Sequence, residues 1–103
     1  MSTVASPFVV EGEFSIYRAA ELAQALLAWW PQAVDGGAVQ LDLAGVSEMD
    51  SAGLQLLLSA QRSAHSQGLD FHISAASEAV AQVLGLCALQ HLLSPHLRAE
   101  SAP

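Results

Sequence analysis

Seven consecutive residues, Glu48-Met49-Asp50-Ser51-Ala52-Gly53-Leu54, hold the groups of this chain best suited to chemistry. A serine hydroxyl beside a carboxylate, followed by two small residues, can accept a phosphoryl group, meet a partner or cap a helix. Upstream, Val39, Leu41 and Leu43 alternate with Gln40 and Asp42, the pattern of a half-buried strand. Downstream, residues 54–67 are rich in Leu, Ala and Gln and contain neither Pro nor a β-branched residue, so they read as a helix. Ser51 thus falls near a helix N-terminus. Backbone N–H groups there lack intrahelical partners, and the macrodipole favours negative charge. A phosphoryl group on Ser51 is tolerated in that position and recasts the surface electrostatically. Asp and Ser are also ordinary N-cap residues, and capping alone is the competing account.

Other reactive side chains do not assemble into a site. Cys87 and His91 are four residues apart and fit one helical face, while His65, His72 and His96 are scattered. No further pair has ligand spacing, and structural zinc normally takes four ligands, so a buried Cys and a surface His are the simpler reading. Ser51 lacks a Gly-x-Ser-x-Gly elbow and has no His with a recognisable role, which argues against an enzyme. Trp29 and Trp30 are adjacent, so only one can face the core squarely. Trp30 continues the apolar stripe and Trp29 is expected half-exposed, as a cap over the end of the core or as a binding aromatic.

The elements that must position Ser51 follow from periodicity. Residues 8–16 carry apolar groups at 8, 10, 14 and 16, with Glu11 and Glu13 on the other side and Gly12 as a bend or bulge. Ser15 is placed to cap a helix over 17–30, whose stripe is Ala19, Leu22, Ala23, Leu26, Leu27 and Trp30. Pro31 is expected to end it, and Asp35-Gly36-Gly37 to turn the chain into a strand over 38–43. The second helix, 51–67, buries Gly53, Leu56, Leu57, Ala60 and Ala64 and stops at Gly68. A third strand, 69–74, alternates again. Ser77 caps a third helix with Val80, Val83 and Leu84 inward, ended or weakened at Gly85. Residues 86–93 are apolar and fit either a short helix or a final strand, and 94–103 read as a loose polar tail.

Strands alternating with helices imply a mixed or parallel sheet with crossover connections. Strands covered on both faces read as continuous apolar runs, whereas all three here alternate. The helices are therefore expected mainly on one face, with Glu11, Glu13, Gln40, Asp42, Asp70 and His72 on the other.

The chain of 103 residues makes one domain, 1–103, with its core over about 8–93. Only 13% of residues are charged against 52% apolar, so some apolar surface is exposed or meets a partner. The net charge of −7, with three Arg and no Lys, excludes the basic cluster that nucleic acid or an anionic membrane requires. It suits a basic protein partner through electrostatic steering. There is no apolar run long enough to insert in a membrane, no signal-like N-terminus, and a single Cys87 with no internal disulfide partner. Together these point to the cytoplasm.

The order strand, apolar-x-x-apolar loop, Asp, Ser, small residue, Gly, Leu-rich helix resembles the STAS family, the anti-sigma-factor antagonists and their relatives. Leu43, Val46, Met49, Asp50, Ser51, Ala52, Gly53 and Leu54 fall in the corresponding places, and Gly12-Glu13-Phe14 matches the family's early Gly-Glu-Leu/Phe turn. The resemblance implies a small α/β domain with a mixed sheet of about four strands, no cofactor and no catalysis. It implies a switch in which an ATP-dependent serine kinase, itself an anti-sigma factor, binds the unmodified protein and phosphorylates Ser51. Asp50 then orients the acceptor, Gly53 lets the partner approach, and residues 48–54 form the partner-binding surface. Ala52 stands where many members have a second hydroxyl, which leaves Ser51 the sole acceptor. Two other branches fit the same residues. One is the STAS subunit of a phospholipid-trafficking ABC transporter, gripping an ATPase subunit without phosphorylation. The other is a STAS module of a chemotaxis signalling cluster, which Gly12-Glu13-Phe14-Ser15-Ile16-Tyr17 resembles.

Overall fold

The computed structural model describes residues 6–95 and residue 97. Strand β1 (Phe8–Phe14) leads through helix α1 (Ala19–Gly36) to β2 (Ala38–Met49), then through α2 (Ser51–Ser66) to β3 (Asp70–Ala76), followed by α3 (Glu78–Leu86) and a 3₁₀ turn (Gln90–Leu92). The strands lie in the order β1-β2-β3 and both pairings are parallel. Among the described residues the sheet, expected to be mixed, has parallel pairings, because a helix between successive strands returns the chain to the same end of the sheet.

The central strand decides the layering. Val39, Leu41 and Leu43 are buried, and Gln40 and Asp42 between them are only half-buried. The buried residues form one core with Leu22 and Leu26 of α1, Leu57, Ala60 and Ala64 of α2, and Val80 and Leu84 of α3. Helices α1, α2 and α3 therefore share one face of the sheet. Gln40, Asp42 and His72 lie beneath no second helical layer among the described residues, as the alternation predicts.

Among the described residues no fourth strand develops. Leu93 makes one isolated parallel bridge to Ile73, and the N–H of Ser94 donates to the Ile73 carbonyl at 3.0 Å. Residues 90–92 are taken up by the 3₁₀ turn, so the ambiguous apolar segment is a short helical turn followed by one strand-like contact. The loose tail expected over 94–103 lies mostly outside the described residues. Its first residues are held, since Ser94 is buried and Leu97 packs against the core.

Several boundaries differ from their expected positions for local reasons. Strand β2 continues to Met49 beyond the expected 43, pairing its second half with Glu11–Phe14 of β1. Exposed Ala44 and Gly45 interrupt the alternation there, and irregular register in β1 accompanies Gly12 at φ 79°. Helix α1 passes through Pro31 and ends at Gly36. The proline removes only the bond to the Leu27 carbonyl, and its ring is exposed, so no packing is disturbed. The turn then falls on Gly37, at φ 74°. Ser15 does not cap α1: its hydroxyl donates to Glu13 at 3.5 Å, and its carbonyl accepts from the Arg18 N–H at 3.0 Å.

Both tryptophans sit at the margin of the core, so Trp30 is less enclosed than its place in the stripe suggests. Trp29 packs on Phe8 and donates to the Ser6 carbonyl, while Trp30 donates to the Gln67 side chain at 3.0 Å. Each indole N–H needs a partner, and only the margin offers one to both. Cys87 is exposed, not buried, because it is the solvent-facing C-cap of α3.

Candidate functional site

The motif begins where β2 runs out beside β1. Phe14 and Met49 are register partners, and the Asp50 N–H donates to the Phe14 carbonyl at 3.3 Å. Asp50 keeps an extended backbone, with φ −112° and ψ −173°, and is the N-cap of α2. Its Oδ1 accepts from the N–H of Ala52 at 2.9 Å and of Gly53 at 3.0 Å. Its Oδ2 accepts from the N–H of Ile16 at 3.0 Å. One carboxylate thereby closes the start of α2 and clamps the loop after β1 to it. The Ile16 bond above all, then those from Gly53 and Ala52, hold the Asp50 pKa below its ordinary value.

Ser51 is the first residue of α2 and is exposed. Among the described hydrogen bonds none engages its hydroxyl. Asp50, not Ser51, does the capping, and the Asp50 carboxylate is directed to three backbone donors rather than to the hydroxyl beside it. Glu48 is also exposed, while Met49, Ala52 and Leu54 are half-buried.

Gly53 has a structural task that differs from the expected access for a partner. It is buried, and a Cβ built on it would lie 2.1 Å from the Phe14 carbonyl oxygen. Glycine is what allows α2 to start against the end of β1, so Gly53 belongs to the floor of the site and not to its surface.

The sequence reading of residues 48–54 missed their neighbours on the β1–α1 loop. Ile16 and Tyr17 are exposed beside the Asp50 clamp, although the periodicity placed Ile16 in a strand and Tyr17 in a helix. Arg18 fixes this loop from within, its guanidinium donating to the carbonyls of Glu11 and Glu13 and pairing with Glu21 at 3.5 Å. Ile16 continues the period-two pattern of β1, so the signal available in the sequence was Tyr17 alone, a large aromatic outside the apolar stripe of the helix that follows.

Among the described residues no group of three or more His, Cys, Asp or Glu is close enough to hold a metal ion. No helix among them is long and apolar enough to cross a membrane.

This parallel sheet with Asp50 and Ser51 at a strand-to-helix junction is that of a STAS domain. A family model described as "Mlab, STAS domain" matches residues 3–95, and the chain belongs to that family. Two solved structures share the fold. One is the anti-sigma factor antagonist SpoIIAA in its unphosphorylated form, 15% identical, with a TM-score of 0.68 over 90% of this chain and 83% of that one. The other is described as a candidate anti-sigma factor antagonist from Thermotoga maritima, 20% identical, with a TM-score of 0.68 over 89% and 83% of the two chains. No curated protein sequence matches.

Proposed function

We propose that this chain is a regulatory protein-interaction module of the anti-sigma-factor-antagonist kind, which docks an ATP-dependent serine-kinase-type partner through residues around Ser51. Phosphorylation of Ser51 controls the docking, and the module works in the cytoplasm without catalysis of its own. The observation that carries this reading is the free, exposed hydroxyl of Ser51 at the first position of α2, beside a carboxylate that already caps the helix.

That arrangement makes a phosphoryl group consequential. The N–H groups of Ala52 and Gly53 are taken by Asp50, so a dianion on Ser51 shares the helix start with a fixed negative charge. Arg18 is committed to Glu11, Glu13 and Glu21. A partner surface shaped to a neutral hydroxyl then meets a charge that this chain leaves uncompensated, and the desolvation it demands opposes binding. The fold shared with SpoIIAA and the Thermotoga protein supports the same reading.

Incubation with the cognate kinase and ATP, followed by mass-spectrometric mapping, tests the acceptor. Phosphate is expected on Ser51 and lost in Ser51→Ala. Phosphate elsewhere on the chain, with residue 51 unmodified, would overturn the assignment.

A second reading takes Ser51 as a plain contact, gripping the ATPase subunit of a lipid transporter without modification. The Mlab description of the matching family model and the single hydroxyl left by Ala52 favour it. Equal binding by the two charge states of residue 51 distinguishes it from the switch.

A further inference from the structure

We infer that Ile16 and Tyr17 form the apolar anchor of the docking surface, and that the partner is a protein presenting an apolar pocket rimmed with Arg or Lys. This inference rests on the proposed docking role of the Ser51 region and adds the residues and partner chemistry that give it affinity.

Ile16 is 66% exposed and Tyr17 87% exposed, an aliphatic and an aromatic group adjacent in the chain. Neither contributes to the core, so folding does not account for them. They are nonetheless held firmly. The Ile16 N–H is bound to Asp50, the Arg18 N–H to the Ser15 carbonyl, and the Arg18 guanidinium to the carbonyls of Glu11 and Glu13. An exposed aromatic on a loop fixed at both ends loses little freedom on binding, which is the property of an interface hot spot.

The surroundings state what kind of surface fits. Glu13 and Glu48 are register partners on β1 and β2, both exposed, and Asp50 lies at the end of the same strand pair. The nearby cation, Arg18, is engaged internally. Apolar side chains edged by carboxylates complement an apolar pocket edged by cations. A second copy of this chain is disfavoured as the occupant, because it would bring the same carboxylates and a net charge of −7.

The test is calorimetric titration against the purified partner, a serine kinase or ATPase subunit recovered with this chain, at low and high NaCl. Circular dichroism first confirms that each variant folds. Tyr17→Ala and Ile16→Ser are expected to weaken binding by about 30-fold each. Leu86→Ala, at an equally exposed residue on α3, should leave it unchanged. Affinity should fall with added salt. Wild-type affinity in both loop variants would overturn the anchor while a Ser51→Asp effect left the docking reading standing. Equal loss in Leu86→Ala or salt-independent binding would also overturn it. Failure of the wild-type chain to bind would remove both readings.

Discussion

Asp50 commits both carboxylate oxygens to backbone donors, two from the start of its own helix and one from Ile16, 34 residues earlier in the chain, which makes it the structural centre of the site. Those bonds favour the charged form and depress its folded-state pKa below the ordinary 3.8. The stabilisation they supply is therefore complete above the unfolded pKa and is lost as pH falls through the lower folded value. Asp50→Asn should melt at a lower temperature than wild type near neutral pH, with the gap closing as acid protonates the wild-type carboxylate. Thermal melts over about pH 2–7 check this; a gap that does not change with pH would contradict it. Gly53 supplies the other fixed point. Gly53→Ala places a methyl group 2.1 Å from the Phe14 carbonyl oxygen, backbone that cannot rotate away. A loss of about 3 kcal/mol or more is expected in denaturant titration, with a displaced α2 start in any folded fraction. The position of Asp50 and Ser51 at the start of α2 was legible because their residue types suit a strand–helix junction. The clamp to Ile16 was not, because a backbone donor on a distant loop leaves no mark in residue type.

The helices and strands were legible wherever one period persisted. Helix α2 keeps its apolar spacing from Gly53 to Ala64, and its boundaries fall within one residue of those expected. Strand β2 was read only to Leu43, because Ala44 and Gly45 are exposed and end the period-two pattern while the parallel pairing with β1 continues. Helix α1 overran Pro31 for the opposite reason, since a local breaking signal weighed less than the surrounding helix. The end of α3 offers an element-scale test. Ala88 sits at φ 56°, and the N–H of Leu89 reaches back to the Leu84 carbonyl at 2.8 Å, a Schellman-type closure on a residue that is not glycine. Ala88→Gly removes a Cβ from a conformation it disfavours, offset by a more flexible unfolded chain. A gain of about 0.5–1 kcal/mol is expected in chemical denaturation. An unchanged or lower stability would show that the strain is already relieved.

Across the described residues, one face of the sheet holds α1, α2 and α3, and the loops at one strand end hold the motif. Alternation in three strands was enough to anticipate that layering, because a sheet covered on both faces cannot alternate. The strand count was less legible: Leu93 is apolar enough for a strand, but the 3₁₀ turn before it leaves room for a single bridge to Ile73. The net charge of −7 is a whole-molecule quantity as well, and at long range it repels surfaces of like charge. Against that background, a further charge at Ser51 acts locally, at the one point where the helix start already carries the Asp50 carboxylate.

The central claim, that charge at residue 51 gates docking, is tested most directly by titrating wild type and Ser51→Asp against the purified partner while following their melting temperatures. Affinity should fall about tenfold or more, about 1.4 kcal/mol, with both chains melting at nearly the same temperature because a carboxylate near a helix start is compatible with the dipole. Equal affinity of the two chains would contradict the switch and leave Ser51 as an ordinary contact.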